Sequence, residues 1–186
     1  MELELSPDKI AALARRIDRP LVLIGMMGVG KTSVGRRLAA LLHLPFSDAD
    51  AEIVHAAQMS IPEMFEQFGE AYFRDGERRV IARLIEGGRG VIATGGGAFV
   101  NPETRALILA KAIAVWLDSD IEVLLERVKR NANRPLLQSG DPREVLTRLK
   151  AERQSTYAEA PIHVTSGHGP HTRAVNHILK GLDAWL

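Results

Sequence analysis

The sequence predicts an α/β fold, a parallel sheet of about five strands with helices on both faces. Three observations predict it. Short, continuous apolar runs at Leu21–Ile24, Val91–Ala93 and 113–117 read as strands buried on both sides. Segments of helical periodicity alternate with those runs, the pattern of strands joined by helical crossovers. Finally, Gly25-Met26-Met27-Gly28-Val29-Gly30-Lys31-Thr32 fits the phosphate-loop pattern G-x-x-x-x-G-K-[ST], directly after the first run. A helical pattern follows it, with Val34, Leu38, Leu41 and Leu42 on one face.

The elements are justified in order. Ser6-Pro7-Asp8 is a cap with proline at the first helical position, and Ile10, Leu13 and Ile17 follow at helical spacing. This helix precedes the first strand, so residues 1–19 read as an extension. Leu44 to Phe46 reads as a short second strand ending at Ser47-Asp48-Ala49-Asp50. Ser60-Ile61-Pro62-Glu63 is a capping box opening a helix with Met64, Phe65 and Phe68 on its apolar side. A longer helix over 70–86 stops at Gly87-Gly88, and Val91–Ala93 runs into Thr94-Gly95-Gly96-Gly97. Asn101-Pro102 caps the next helix, and Ser119-Asp120-Ile121-Glu122 reads as a second capping box after the strand at 113–117. Residues 131–141 are polar and interrupted by Pro135 and Gly140, hence a loop. Asp141-Pro142-Arg143-Glu144 opens a long helix, 162–164 is a last strand, and 174–186 a closing helix.

Bulk properties narrow the function. The 186 residues suggest one domain, and 46% hydrophobic residues suffice for a core. A net charge of +1 gives no electrostatic reason to expect nucleic acid. Without cysteine there are no disulfides and no thiolate metal sites. Glu2 and Glu4 stand where a signal peptide would be basic, and no segment is apolar for long enough to span a bilayer. A soluble cytoplasmic enzyme is expected.

The glycine loop implies a bound nucleoside triphosphate. Its small residues let backbone N–H groups curl around a phosphate, and the helix N-terminus adds its dipole. Lys31 is expected to reach the β- and γ-phosphates, and Thr32 to offer a hydroxyl to Mg²⁺. Asp48 and Asp50, two apart at a strand end, fit a water-mediated Mg²⁺ contact and an acceptor for an attacking hydroxyl; they also suit a plain turn. Gly95-Gly96-Gly97 lets backbone approach a ligand closely, or serves as a flexible turn. Arg74, with Glu77 one helical turn on, and Arg153 could fork a carboxylate or phosphate, though arginines on helices commonly face water. Together the cations, the carboxylates and the nucleotide loop suit phosphorylation of a small hydroxylated acid. Asp118, after an apolar strand, is read as a turn residue rather than a magnesium ligand. His168 and His171 lack a metal-ligand pattern such as H-E-x-x-H and are assigned to loop and surface positions.

In its ordered set of motifs the chain resembles the shikimate kinase family. The carriers are the phosphate loop, Phe46-Ser47-Asp48-Ala49-Asp50, Ser60 to Phe65 with Gly69-Glu70 and Phe73-Arg74, the Gly95–Gly97 triplet and Arg134-Pro135-Leu136-Leu137. The resemblance implies a nucleoside monophosphate kinase-like fold with strand order 2-3-1-4-5. It implies transfer of the γ-phosphate of ATP to the 3-hydroxyl of shikimate, in the pathway to chorismate and the aromatic amino acids. By that resemblance Lys31, Asp50 and Arg134 are catalytic, and Asp50 contacts the attacking hydroxyl. ATP is held by Gly28, Val29, Gly30, Lys31, Thr32, Ser33, Arg130, Arg134 and His168. Shikimate is held by Asp50, Arg74, Gly95, Gly96, Gly97 and Arg153, and Mg²⁺ by Thr32 and Asp48. The resemblance further implies a mobile lid at 131–141, a shikimate-binding subregion at 48–86, and a monomer with neither nucleic-acid nor membrane partners.

Overall fold

The computed structural model describes residues 3–129, 140–167 and 169–186. The order is α1 (Pro7–Arg16), β1 (Leu21–Ile24), α2 (Lys31–Leu42), β2 (Phe46–Asp48), α3 (Ala49–Ala57) and α4 (Ile61–Glu86). Then follow β3 (Val91–Ala93), a 3₁₀ turn (Ala98–Val100), α5 (Pro102–Lys111), β4 (Ile113–Asp118), α6 (Ile121–Lys129), α7 (Pro142–Tyr157), β5 (Ile162–Thr165) and α8 (His171–Trp185).

The five strands form one parallel sheet in the order β2-β3-β1-β4-β5, as expected. Every residue of central β1 is fully buried, so its run of Leu and Val needs no alternation. Burying such a side chain stabilises by roughly 1.5–3 kcal/mol. Register fixes the site: Leu23 pairs with Ala93, and Ala93 with Asp48. The loops after β1, β2 and β3 therefore leave the same end of the sheet.

Helix caps match the sequence signals at several points. Ser6 Oγ accepts from Lys9 N, Asn101 Oδ1 from Glu103 N and Thr104 N, and Asp141 Oδ1 from Arg143 N. Ser60 and Glu63 form the reciprocal box, with Ser60 N donating to Glu63 Oε2 at 2.8 Å. The two helices expected either side of Gly69 follow one another within α4, separated by a break at Gly69, which sits at φ 79°, ψ 172°. The opening helix is not a loose appendage: Leu13 and Ile17 are buried in the main core. A second, smaller cluster of Ile53, Met64 and Phe73 lies between α3 and α4, with Phe65 packed against it.

Some expectations fail. The second strand is shifted to Phe46–Asp48, and α3 was not foreseen. Asp48 is at once the last strand residue and the N-cap of α3, so strand geometry does not continue to Asp50. Phe68 is exposed and leans on Tyr72, with ring centroids 4.7 Å apart, rather than facing the core. The second capping box is absent: Ser119 is buried and donates to the Ser166 carbonyl, while Glu122 binds Arg143. No described helix is long and apolar enough to cross a membrane.

Gly25 shows how tightly the loop is fitted to the sheet. Its φ is +133°, and a Cβ there would lie 2.1 Å from the Leu117 carbonyl oxygen. Gly25→Ala is expected to lower the thermal midpoint by roughly 4–8 °C, the shift for about 2 kcal/mol in a chain of this size. Thermal denaturation followed by circular dichroism measures it.

Candidate active site

The phosphate loop joins the end of β1 to the first turn of α2. Gly28 and Gly30 adopt φ of 80° and 100°, left-handed values that favour glycine. Lys31 is buried, and its ammonium donates to the Gly25 and Met26 carbonyls at 2.8 and 2.9 Å. One residue on, Thr32 Oγ1 donates to Asp48 Oδ2 at 2.7 Å. The other oxygen of Asp48 accepts from Asp50 N at 3.1 Å and Ala51 N at 3.4 Å, capping α3. One carboxylate thus ties the donor loop to the helix that carries Asp50. The expected Thr32 and Asp48 pair is in contact.

Asp50 meets a second carboxylate at the glycine triplet. A Cβ on Gly95 would lie 2.9 Å from Asp50 Oδ1 and 2.8 Å from Glu77 Oε1. One on Gly97 would lie 2.5–2.7 Å from the Arg74 guanidinium. These glycines clear space for the protein's own functional side chains, a different reason from the close ligand approach read from sequence. Arg74 Nη1 donates to Glu77 Oε2 at 2.7 Å, and the guanidinium lies over the Phe73 ring, 5.1 Å from its centroid. Burial holds the Glu77 carboxyl above its ordinary range, and Asp50 adds to this, while Arg74 pulls the other way. Burial opposes the charge on Arg74, but Glu77 and Glu70 outweigh it and raise its pKa.

Arg153 arrives from α7, where its Nη1 donates to the Gly96 carbonyl at 3.2 Å. Arg74 and Arg153 therefore approach the same triplet from two helices. Tyr157, one turn beyond Arg153, donates its hydroxyl to the same Gly96 carbonyl. It is fully buried, which pushes its phenol pKa up. A cleft of about 400 Å³ is bordered by Lys31, Thr32, Ser33, Asp48, Asp50 and Gly96, so the phosphate loop, the start of α3 and the glycine triplet share one opening, which Arg74 and Arg153 do not line.

Two further residues border that cleft without any sequence signal. Arg127, on α6, donates to the carbonyls of Val29 at 2.9 Å and Gly167 at 2.8 Å, bracing the phosphate loop. His171, at the start of α8, places its ring 3.4 Å from where a Gly30 Cβ would be. It is a cleft residue, not the surface residue expected. Asp118 is bound to Lys150 Nζ at 2.9 Å and is not among the residues that border the cleft. Arg130, Arg134, His168 and residues 131–139 of the expected lid lie outside the described residues. Among the described residues there is no group of three or more His, Asp or Glu side chains that could hold a metal ion.

A phosphate loop after the central strand of a 2-3-1-4-5 sheet, opening onto a cleft that Asp48, Asp50, Gly95 and Gly96 border, defines a phosphate-loop kinase of small molecules. The chain belongs to the shikimate kinase family, whose model, described as "Shikimate kinase", matches residues 27–183. A shikimate kinase of Novosphingobium aromaticivorans is 63% identical, over 98% of this chain and 96% of the relative. One from Bradyrhizobium diazoefficiens is 52% identical, over 100% of this chain and 89% of the relative. Among solved structures, shikimate kinase from Acinetobacter baumannii in complex with shikimate superimposes with a TM-score of 0.87. It is 34% identical and covers 96% of this chain and 98% of that one.

His171 gives a pH signature. Burial holds its imidazole below its ordinary value, and the nearby Arg127 and Arg37 act in the same direction. A depressed pKa means that the unfolded chain binds the proton first. The stability it contributes is present above the usual imidazole value of about 6.5 and falls as pH drops through the folded value. His171→Gln is expected to shrink the loss of thermal midpoint between about pH 7.5 and 5.5, measured by paired melts of native and variant protein.

Proposed function

We propose that the cleft transfers the γ-phosphate of ATP to the 3-hydroxyl of shikimate, giving shikimate 3-phosphate and ADP, the activity of the family to which the chain belongs. The carrying observation is that the phosphate loop and the Asp50, Arg74, Arg153 and glycine-triplet group meet at one sheet end, joined through Asp48.

Phosphoryl transfer leaves little covalent work to a protein, so positioning and charge neutralisation dominate. Gly28, Val29, Gly30 and Ser33 present the loop amides to the triphosphate, and Lys31 leaves its loop carbonyls to take the phosphates. Thr32 and Asp48 are hard oxygen ligands in contact, the residues that would hold Mg²⁺. Held there, the ion would supply positive charge to the phosphate oxygens. Arg127 and His171 border the nucleotide side. Asp50 orients the acceptor hydroxyl and is placed to take its proton. Arg74 and Arg153 fork the acid's carboxylate, and Gly95, Gly96 and Gly97 supply main-chain contacts. Residues 48–86 then form the acid-binding subregion of a single kinase domain, with 1–19 as an extension. By the family resemblance Arg134 is assigned to the transferring phosphate, and Arg130 and His168 to the nucleotide side. The working form is a cytoplasmic monomer.

ADP release should be steady only when shikimate is added to enzyme, ATP and Mg²⁺. A coupled assay with gluconate and nucleoside monophosphates as alternative acceptors checks this; turnover on any of these in preference to shikimate would overturn the assignment. Arg74→Ala is expected to raise KM for shikimate by about 10- to 100-fold, the loss of a charged hydrogen bond, with ATP affinity in the absence of shikimate unchanged. Asp50→Asn is expected to lower kcat by about 10²- to 10⁴-fold with far less effect on KM.

A further inference from the structure

Arg74 is held from two sides by two carboxylates of unlike character. Glu77 is buried, its side chain 2% exposed, and takes Nη1 at 2.7 Å. Glu70 is 60% exposed and faces the Nε and Nη2 edge. That edge is one of the two forks with which a guanidinium grips a planar carboxylate. Glu70 fills it poorly: Nε at 3.2 Å and Nη2 at 3.1 Å both donate to the single oxygen Oε1. Glu70 also follows Gly69, whose φ of 79° and ψ of 172° break the helix.

We propose that Glu70 is an internal stand-in for the substrate carboxylate, one that occupies the fork of Arg74 in the empty pocket and is displaced by the incoming acid. This rests on the reading of Arg74 as the acid clamp. The asymmetry between the two carboxylates sets which one yields. Glu77 would be stranded without its cation and stays. Glu70 returns to water at small cost, because an exposed ion pair contributes little. A ligand that offers two carboxylate oxygens replaces a one-oxygen grip with two parallel bonds. Until then Glu70 holds the guanidinium in place and sets a threshold that a weak anion does not pass. With Glu77 also at Arg74, Glu70 adds to a field that repels anions lacking that second bond.

Calorimetric titration of shikimate without nucleotide tests the proposal. Glu70→Gln is expected to bind shikimate about two- to five-fold more tightly than native protein, the range of an exposed ion pair. Glu70→Ala should tighten in the same direction. Neither variant should bind the uncharged primary amide of shikimate more tightly, and the gain should vanish in an Arg74→Ala background. Unchanged or weaker shikimate binding in both Glu70 variants, with native circular dichroism, would overturn the proposal. Arg74→Ala in the same titration separates the two ideas. If it binds shikimate as well as native protein does, the clamp itself is wrong. If it loses binding while the Glu70 variants fail to tighten, only the stand-in role is wrong.

Discussion

A carboxylate buried as deeply as that of Glu77 is tolerated only with a charged partner close at hand. Much of the acceptor side follows from this constraint. Arg74 must lie against Glu77, which fixes its guanidinium on the inner face of α4. The guanidinium in turn occupies the space where Gly97 would carry a side chain, and the two carboxylates of Glu77 and Asp50 occupy that of Gly95. The glycine triplet, the helix and the charged pair are one solution to one desolvation problem. Removing Arg74 would leave the buried Glu77 carboxylate uncompensated, which couples the stability of this corner to that one guanidinium.

The donor side is joined to it by hydrogen bonds through Asp48. Thr32 on α2 and the first amides of α3 compete for no oxygen, since each takes its own. The start of α2 and the start of α3 are thereby held at a fixed separation, and with them the two ends of the transferred group's path. Arg127 performs a comparable service from the far side, gripping Val29 and Gly167. The phosphate loop is therefore braced from β4's helix as well as from β2's. Rigid placement of this kind is what a reaction governed by alignment and charge requires.

Much of the sheet was legible in the sequence because β1, β3 and β4 are continuous apolar runs and several helices begin with local caps. Ser6, Ser60, Asn101 and Asp141 announce themselves through neighbours two or three residues away. The phosphate loop was legible for the same reason. Helix α3 was not, because Ser47-Asp48-Ala49-Asp50 is equally good turn material and the strand runs straight into its own cap. Ser119 misled in the opposite direction: its local pattern is that of a cap, but a carbonyl 47 residues away claims its hydroxyl. Arg127 and Tyr157 left no mark at all, and His171 none that pointed to the cleft. Arg127 reaches a loop 98 residues away and Tyr157 a glycine 61 residues away, while His171 packs beside Gly30, contacts that only the folded sheet creates. The glycine triplet shows a third case: its position was legible, but the room it leaves for Asp50, Glu77 and Arg74 depends on helices that the local pattern does not place.

The small cluster of Ile53, Met64 and Phe73 stands apart from the main core. Substitutions in two hydrophobic clusters that share no partners add nearly independently. Residues between α3 and α4 can therefore repack while the sheet and its phosphate loop keep their stability. Such a division confines the damage of a substitution in the minor cluster to one corner of the molecule, as a bulkhead confines a leak.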